Sequence, residues 1–224
     1  VGFIGIDLEH STISLEQSQS IIATAQAAGL VCYPRVSSHN YEQIRRLLDS
    51  GADGLIVPMV DTSAQVDQLI NSIKYPPIGK RSYGVARAHS YGQKFEKYTK
   101  TWNERSVFIV QIESITAVKN IESILMNPSV DGVMVGPYDM SGSLGIPGQL
   151  DHPEVTKACA QVIDACKKHN KSCGTQIVDP DSENTSKALK QGYTFVVLAS
   201  DVFILWKWAE KIQGLVRPHL SSSH

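Results

Sequence analysis

Side chains of the kinds that transfer protons and bind metal ions follow several apolar runs of this sequence. They are Asp7, Glu9 and His10 after FIGI, Arg35 after VCYP, Gln111 and Glu113 within VFIVQIE, and Asp139 two residues after GVMVGP. If these runs are parallel β-strands, their carboxyl ends open on one face, where residues far apart in sequence meet. The sequence therefore predicts that these side chains share one pocket.

Glu113 and Asp139, with Gln111 beside them, form a predicted set of oxygen ligands. Such ligands favour a hard divalent cation, Mg²⁺ or Mn²⁺ with Co²⁺ as a further option, and two protein ligands leave positions for water and a chelating ligand. The cysteine or histidine clusters that bind zinc do not occur in the sequence. A single acid at a strand end can equally cap a helix or pair with Arg35, but the joint placement of two acids favours a metal site.

His10 is the predicted proton-transfer residue, because an imidazole gains and loses a proton near neutral pH. Asp7, Glu9 or Asp49 can fix its tautomer, as carboxylates do for catalytic histidines. Arg35 places a permanent cation where a developing oxyanion needs compensation. The alternative role of Arg35 is a salt bridge to Glu113 or Asp7.

No lysine is predicted to stand at the carboxyl end of a strand, where an imine-forming enzyme would need one. Lys171 precedes its predicted strand. The other lysines considered are interpreted as helix-surface or loop residues: Lys74, Lys80, Lys119, Lys167 and Lys168. The sequence therefore disfavours imine chemistry.

Short apolar runs alternate with amphipathic helical segments along the whole chain, which indicates a parallel α/β fold. The 224 residues, 42% of them hydrophobic and 19% charged, fit a single domain over residues 1–224. We count about seven strands where a closed (β/α) barrel needs about eight, and the first β-α unit is therefore expected upstream of residue 1. A doubly wound open sheet is the competing architecture. Residues 75–106 are interpreted as an irregular excursion over the barrel mouth.

Charge and composition exclude some partners. The formal net charge is -1 and the charged residues are scattered, so nucleic acid is not expected as a partner. No apolar run reaches the roughly 18 residues that span a bilayer, and the first residues lack the features of a signal peptide. The four cysteines, without a CxxC pair, are interpreted as small buried side chains. These observations predict a soluble, cytoplasmic protein.

Several motifs together carry a resemblance to a known family. They are DLEHS, PRVSSHNYEQIRRLLDSGADGLIVPMV, YPPIGKRSYG, VQIES, VDGVMVGPYDMSGSLG and HPEV, in this order and spacing. Up to about FVVLASD the chain resembles the class II pyruvate aldolases of the HpcH/HpaI family, which act on acids such as 4-hydroxy-2-oxoheptanedioate and 2-keto-3-deoxy-L-rhamnonate. The resemblance implies a TIM (β/α) barrel of the phosphoenolpyruvate/pyruvate type. It also implies a metal-dependent, reversible retro-aldol cleavage of a 2-keto-3-deoxy acid to pyruvate and an aldehyde.

The resemblance implies roles for the matching residues, which fall into catalytic, substrate-binding and metal-binding groups. The catalytic group is His10 as general base, Asp49 as the residue that raises its basicity, Arg35 as the enolate-stabilising cation and Asp7 in support. The substrate-binding group is Gln111 with the backbone at Tyr138 and Asp139, and the metal-binding group is Glu113 with Asp139. The implied reaction begins when the base removes the C4 hydroxyl proton and the C3–C4 bond breaks.

The resemblance also implies a homohexamer, a trimer of dimers, in which barrels exchange their C-terminal helices. The apolar helix at about residues 202–216 is then expected to pack on a neighbouring subunit. Two segments depart from the family pattern: RSYGVARAHSYG is shorter, and the strand ending in FVVLASD replaces a glycine-rich end. Both are expected to border the mouth, so the resemblance does not extend to the identity of the aldehyde.

Two alternative functions remain open at this point. A citrate-lyase-like enzyme of the same fold would act on a CoA thioester and would need a basic groove, for which Lys80, Arg81, Arg87 and Lys94 are the candidates. A sugar-acid binding protein with an inactive site is the second alternative. The intact set of base, arginine and acids argues against it, because a binding protein needs no base.

Overall fold

The computed structural model describes residues 2–220, except for the side chains of residues 218 and 220. Its strands are short, mostly apolar runs. The seven strands of this part of the chain are β1 (Phe3–Asp7), β2 (Val31–Arg35), β3 (Gly54–Val57), β4 (Val107–Ile112), β5 (Gly132–Val135), β6 (Ser172–Ile177) and β7 (Phe195–Leu198). Both β3 and β5 are buried at every position, as expected for strands of a sheet that is covered on both faces.

Helices follow the strands, and several begin at a side chain that caps them. The ten α-helices of the described residues are α1 (Leu15–Ala27), α2 (Tyr41–Asp49), α3 (Ser63–Ile73), α4 (Phe95–Arg105), α5 (Ile115–Lys119), α6 (Ile121–Leu125), α7 (Pro137–Ser143), α8 (Pro153–Lys168), α9 (Ser182–Gln191) and α10 (Asp201–Leu220). Ser14, Thr62 and Asp181 each accept a hydrogen bond from a backbone N–H three residues later, which defines the starts of α1, α3 and α9.

The described residues form two compact units, with the boundary after Cys173. In the first unit, β1 to β5 pair in parallel and in chain order. Asp7 lies opposite Arg35 in the β1-β2 ladder. Both residues therefore lie at the edge of the sheet where the carboxyl ends of the strands meet, which is called the rim below. In the second unit, β6 pairs in parallel with β7. The α/β class and the TIM-barrel-like fold are thus confirmed, with one strand fewer among residues 2–220 than the eight of a closed barrel.

Residues 75–106 do not form the irregular excursion over the mouth that the sequence predicts. Their last third is helix α4, and Arg81 and Arg87 of the segment pack at the end of α2, where the strands begin. Arg87 donates a 2.9 Å hydrogen bond to the carbonyl oxygen of Ser50, the residue that follows α2. Helix α4 was not predicted from the sequence because only Tyr98 and Trp102 of this helix are buried. Two buried residues give too narrow an apolar stripe to indicate a helix.

Helix α10 of the second unit carries many exposed apolar side chains. They are Val202, Ile204, Leu205, Trp206, Trp208, Ile212, Leu215 and Val216, with 44% to 68% of their surface exposed. Apolar surface of this extent is typical of interaction sites. The exchange of this helix with a neighbouring subunit and the hexameric assembly stay predictions. Among residues 2–220, no helix is both long enough and apolar enough to cross a membrane.

Candidate active site

Arg35 joins the carboxyl ends of β1 and β2 through an ion-pair cluster. Its Nε and Nη2 donate to the two carboxylate oxygens of Asp7 at 3.0 and 2.6 Å, and its Nη1 lies 3.1 Å from Oε2 of Glu9. The bidentate contact fixes the plane of the guanidinium group. Asp7 also accepts hydrogen bonds from the backbone N–H groups of Glu9 and His10, which hold the turn after β1 at the same rim.

These contacts set the charges of the cluster. Burial raises the pKa of Asp7, but the hydrogen bonds and the positive charge of Arg35 lower it overall. Burial works to lower the pKa of Arg35, whereas Asp7 and the other nearby carboxylates raise it overall. The pKa of Glu9 is raised, mainly by burial. Arg35 therefore stays a cation that faces an ionised carboxylate and a second, less acidic carboxyl group.

Glu113 lies directly after β4 with only 5% of its surface exposed. Its Oε1 accepts a 2.6 Å hydrogen bond from the backbone N–H of Met59, and its Oε2 accepts a 2.5 Å hydrogen bond from Nε2 of Gln111. Burial raises the pKa of Glu113 from 4.5 to about 7, and the charges of Glu9 and Asp139 add to the rise. This carboxyl group therefore gives up its proton near neutral pH, and a bound cation would favour its release.

Asp139 and Tyr138 lie in the first turn of α7, which begins two residues after β5. N–H groups in the first turn of a helix have no acceptor within the helix, so those of Tyr138 and Asp139 are available to an anion. The Asp139 side chain is exposed, and its charge raises the pKa of both Glu9 and Glu113. The structure thus brings acids that follow β1, β4 and β5 within electrostatic range of one another.

Gln111 and Gly136 lie next to Glu113. The Oε1 atom of Gln111 is buried and has no hydrogen-bond partner among the described residues. Such an acceptor costs about 1–3 kcal/mol unless a ligand or water supplies a donor. A Cβ atom at Gly136 would lie 3.2 Å from Oε2 of Glu113 and 3.5 Å from Nε2 of Gln111. The backbone at Gly136 therefore packs so closely on both side chains that a larger residue would crowd them.

His10 stands in the turn after β1 and points largely to solvent, with 70% of its side chain exposed. Its Nε2 is 3.8 Å from Oε2 of Glu9, which is longer than a hydrogen bond. Of the three acids that the sequence offered as partners, Glu9 has its carboxylate beside the imidazole. The ring nitrogens of His10 therefore remain accessible to a substrate that enters from the rim.

The described residues contain no group of three or more histidine, cysteine, aspartate or glutamate side chains that could hold a metal ion. A cation at this rim would rest on the two predicted carboxylates, Glu113 and Asp139, with oxygen atoms of water and ligand in the remaining positions. The mutual repulsion of these acids and Glu9, which raises the pKa of Glu113, fits a site that a positive charge completes.

Comparison with known proteins identifies the family of the chain. The sequence profile described as HpcH/HpaI aldolase/citrate lyase matches residues 3–207. The chain belongs to this family. A 2-keto-3-deoxy-L-rhamnonate aldolase of Klebsiella pneumoniae is 38% identical over 205 residues, which are 89% of this chain and 74% of that protein. The protein of the same name from Salmonella typhi is 38% identical over 163 residues, 72% of this chain but only 60% of its own length.

Several solved structures share the fold. An HpcH/HpaI aldolase from Desulfitobacterium hafniense superimposes with a TM-score of 0.89 at 27% identity, covering 96% of this chain and 84% of that one. A citrate synthase, SbnG, has a TM-score of 0.85 at 26% identity, covering 98% of this chain and 85% of that one. The relatives named aldolases are carbon-carbon lyases, and the chain is a member of this class of enzymes.

The structure does not bring Asp49 to the other predicted residues of the HpcH/HpaI site. Asp49 ends α2, and its Oδ1 accepts a 2.7 Å hydrogen bond from Nη2 of the buried Arg81. Three aromatic rings surround the guanidinium group of Arg81 at 4.7 to 5.6 Å. Because α2 runs back from the rim, its last residue lies where the strands begin, at the far end from His10. The role of Asp49 toward His10 stays a prediction.

One interpretation of the lysines was wrong. Lys74 is neither a helix-surface nor a loop residue, because only 3% of its surface is exposed. Its Nζ donates to the carbonyl oxygens of Asn103 and Ser106 at 3.0 and 2.9 Å and to the Ser106 hydroxyl at 2.8 Å. Burial lowers the pKa of Lys74, as an imine-forming lysine requires. All three protons are donated, however, and the group lies at the start of β4, so imine chemistry remains disfavoured.

Two residues near Glu113 carried no signal in the sequence. Met59 contributes its backbone N–H and has a φ of 55°, in the left-handed region. His39 lies beside the carbonyl oxygen of Pro58, the residue before Met59. A backbone donor can come from any residue type, and only the unusual φ of a non-glycine residue marks this position in the structure.

The raised pKa of Glu113 predicts that the cation-free protein loses stability as the pH rises from about 5 to 8. In this range the folded state holds the Glu113 proton up to about pH 7, whereas the unfolded state releases it near 4.5. The unfolded state then binds fewer protons, and the free energy of unfolding falls with pH by up to about 3 kcal/mol. Urea unfolding in EDTA at several pH values measures the change. The slope should be smaller in Glu113→Gln, and equal slopes in the two proteins would contradict the prediction.

Proposed function

We propose that this chain is a divalent-metal-dependent class II aldolase that reversibly cleaves a 2-keto-3-deoxy (4-hydroxy-2-oxo) acid to pyruvate and an aldehyde. The observation that carries the proposal is the buried Glu113 carboxyl group, held by two hydrogen bonds at a rim where further acids act on it. Membership of the HpcH/HpaI family supports the same reaction class.

The cation is proposed to be Mg²⁺ or Mn²⁺, with Co²⁺ as a further option, bound by Glu113 and Asp139. When bound, it would supply positive charge that polarises the 2-oxo group of the substrate and stabilises the enolate. The buried, unpaired Oε1 of Gln111 supports a ligand next to Glu113.

The residues of the chain bind and orient the rest of the substrate. The N–H groups of Tyr138 and Asp139, in the first turn of α7, bind the carboxylate of the keto acid. Arg35 is fixed by Asp7 and has its charge directed at the rim, where it stabilises the oxygen that becomes an enolate. Gln111 contacts the pyruvate portion of the substrate from the buried side of the pocket.

His10 performs the proton transfer in this proposal. It removes the proton of the C4 hydroxyl group, the C3–C4 bond breaks, and the bonding electrons pass into the enolate of pyruvate. The C4 oxygen becomes the carbonyl oxygen of the aldehyde. Protonation of C3 of the enolate then completes pyruvate. The exposed position of His10 supports this role, because the aldehyde portion must approach from the open side of the rim.

The relatives support a substrate class. The Klebsiella pneumoniae protein is named for 2-keto-3-deoxy-L-rhamnonate, a sugar-derived 2-keto acid. We propose that this chain acts on an acid of the same class, with pyruvate as the common product. The matched residues cover 74% of the Klebsiella pneumoniae protein and 60% of the Salmonella typhi protein.

The proposal is tested by pyruvate release from a panel of 2-keto-3-deoxy acids, followed by coupling to lactate dehydrogenase. Pyruvate should appear in the presence of Mg²⁺ or Mn²⁺, and EDTA should stop its release until excess metal is added back. Lactate dehydrogenase supplied with pyruvate directly controls for effects of EDTA on the coupling enzyme. No release from any acid of the panel would favour a binding protein, and EDTA-resistant release would refute the metal requirement.

A citrate-forming or CoA-ester activity has structural neighbours, including the citrate synthase SbnG. Two of the basic residues proposed for CoA do not line this rim in the described structure. The buried Arg81 donates a hydrogen bond to the carboxylate of Asp49, and Arg87 donates one to the carbonyl oxygen of Ser50. Both contacts lie at the end of the first unit where the strands begin. The geometry therefore favours the aldolase over a CoA-ester lyase.

A further inference from the structure

One peptide unit beside Glu113 is hydrogen-bonded on both sides. It joins Pro58 to Met59 and follows the last residue of β3. Its N–H, on Met59, donates to Oε1 of Glu113 at 2.6 Å. Its carbonyl oxygen, on Pro58, lies 2.8 Å from Nε2 of His39. Because a carbonyl oxygen can only accept, Nε2 of His39 must carry the proton of this hydrogen bond.

This peptide depends on partners outside its own segment. Met59 has a φ of 55°, a conformation that is unfavourable for a residue with a side chain. Its side chain is 53% exposed, so packing in the core does little to hold it. The hydrogen bonds from His39 and to Glu113 therefore contribute directly to the orientation of the peptide plane. Two bonds in series through one peptide also polarise each other, which strengthens the contact with Glu113.

We propose that His39 is a positioning residue for the cation site: it holds the Pro58 carbonyl group and thereby aims the Met59 N–H at Glu113. The carboxylate is then fixed in the orientation that binds a divalent cation. His39 acts only through this peptide and touches neither cation nor substrate. The inference rests on the proposed role of Glu113 as a metal ligand.

The test compares variants at position 39 in the full chain, with Mn²⁺ binding followed by electron paramagnetic resonance at pH 8. Leucine in His39→Leu has no donor, whereas the amide nitrogen in His39→Gln reaches about the position of the histidine Nε2. We expect His39→Leu to weaken Mn²⁺ binding about tenfold, the lower end of the loss seen when a partner of a metal ligand is removed. His39→Gln should restore most of the wild-type affinity.

A matched control is His169→Leu, which removes a histidine that is hydrogen-bonded to Glu122 away from the rim. It should leave Mn²⁺ binding unchanged. Thermal unfolding by circular dichroism checks that each variant is folded. If His39→Leu does not fold, His39→Asn serves as the second loss variant, because its shorter amide does not reach the Pro58 carbonyl oxygen.

The outcomes separate the two hypotheses. Mn²⁺ binding that survives Glu113→Gln unchanged would refute the metal-ligand role and, with it, the role of His39. Binding that is lost in Glu113→Gln but unchanged in a folded His39→Leu would refute only the role of His39. Equal weakening in His39→Leu and His39→Gln would also refute it, because the hydrogen-bond donor would then be irrelevant.

Discussion

Replacement of Glu113 by glutamine is expected to lower the rate of pyruvate release at least about a thousandfold and to remove Mn²⁺ binding. The change deletes the buried negative charge that the proposed cation requires, and metal-ion stabilisation of a transition state amounts to several kcal/mol. The fold should tolerate the change. The amide of Gln111 can turn so that its unpaired Oε1 accepts from the new side-chain N–H. The coupled pyruvate assay and electron paramagnetic resonance measure the two effects.

Glu122→Gln is the matched control, because it makes the same chemical change at an exposed carboxylate that contacts Lys168 and His169. Its activity and Mn²⁺ binding should equal those of the wild type. Wild-type turnover by Glu113→Gln without added metal would contradict the assignment of Glu113.

Replacement of His10 by alanine is expected to lower pyruvate release about 10²- to 10⁴-fold, the usual contribution of a general base. Binding of pyruvate should be retained, because His10 is proposed to act on the C4 hydroxyl group, which pyruvate lacks. Since 70% of the His10 side chain is exposed, its removal should leave the folded structure intact. Single-turnover kinetics and calorimetric titration with pyruvate in the presence of Mn²⁺ measure the two quantities.

His152→Ala provides the control for the loss of an imidazole. His152 caps the start of α8 through its Nδ1, outside the described rim cluster, and its removal should leave the rate of cleavage unchanged. An unchanged rate in His10→Ala would exclude the proposed base. Loss of pyruvate binding together with activity would indicate that His10 binds the keto acid instead of transferring a proton.

The meeting of Asp7, Arg35, Gln111 and Glu113 could be predicted because the argument needs only the strand ends. Parallel strands connected by helices place all carboxyl ends on one side, whatever the details of packing. The apolar runs identified these ends to within a residue or two, and the ladder pairing of Asp7 with Arg35 follows from two adjacent strands in register.

The far end of the first unit was not predictable in the same way. The burial of Lys74 depends on carbonyl groups about thirty residues later in the chain. The hydrophobic periodicity of the helix around Lys74 cannot predict contacts with such distant residues. The contact of Asp49 with Arg81 likewise joins residues from two separate elements. The Met59 N–H and the Pro58 carbonyl oxygen are backbone atoms: every residue type offers a carbonyl oxygen, and every type except proline offers an N–H, so the sequence does not mark them.

The buried Arg81 anchors residues 75–106 to the scaffold through contacts that no uncharged residue could replace. Its guanidinium group lies over the rings of Tyr75, Tyr98 and Trp102 while it neutralises Asp49. Without Arg81, the partly buried carboxylate of Asp49 would have no counterion, and the three rings would lose their cation–π contacts. The stability of the scaffold and the proposed chemistry therefore depend on different ends of the first unit. Amino-acid changes at the rim can alter the chemistry while the anchor keeps the framework in place.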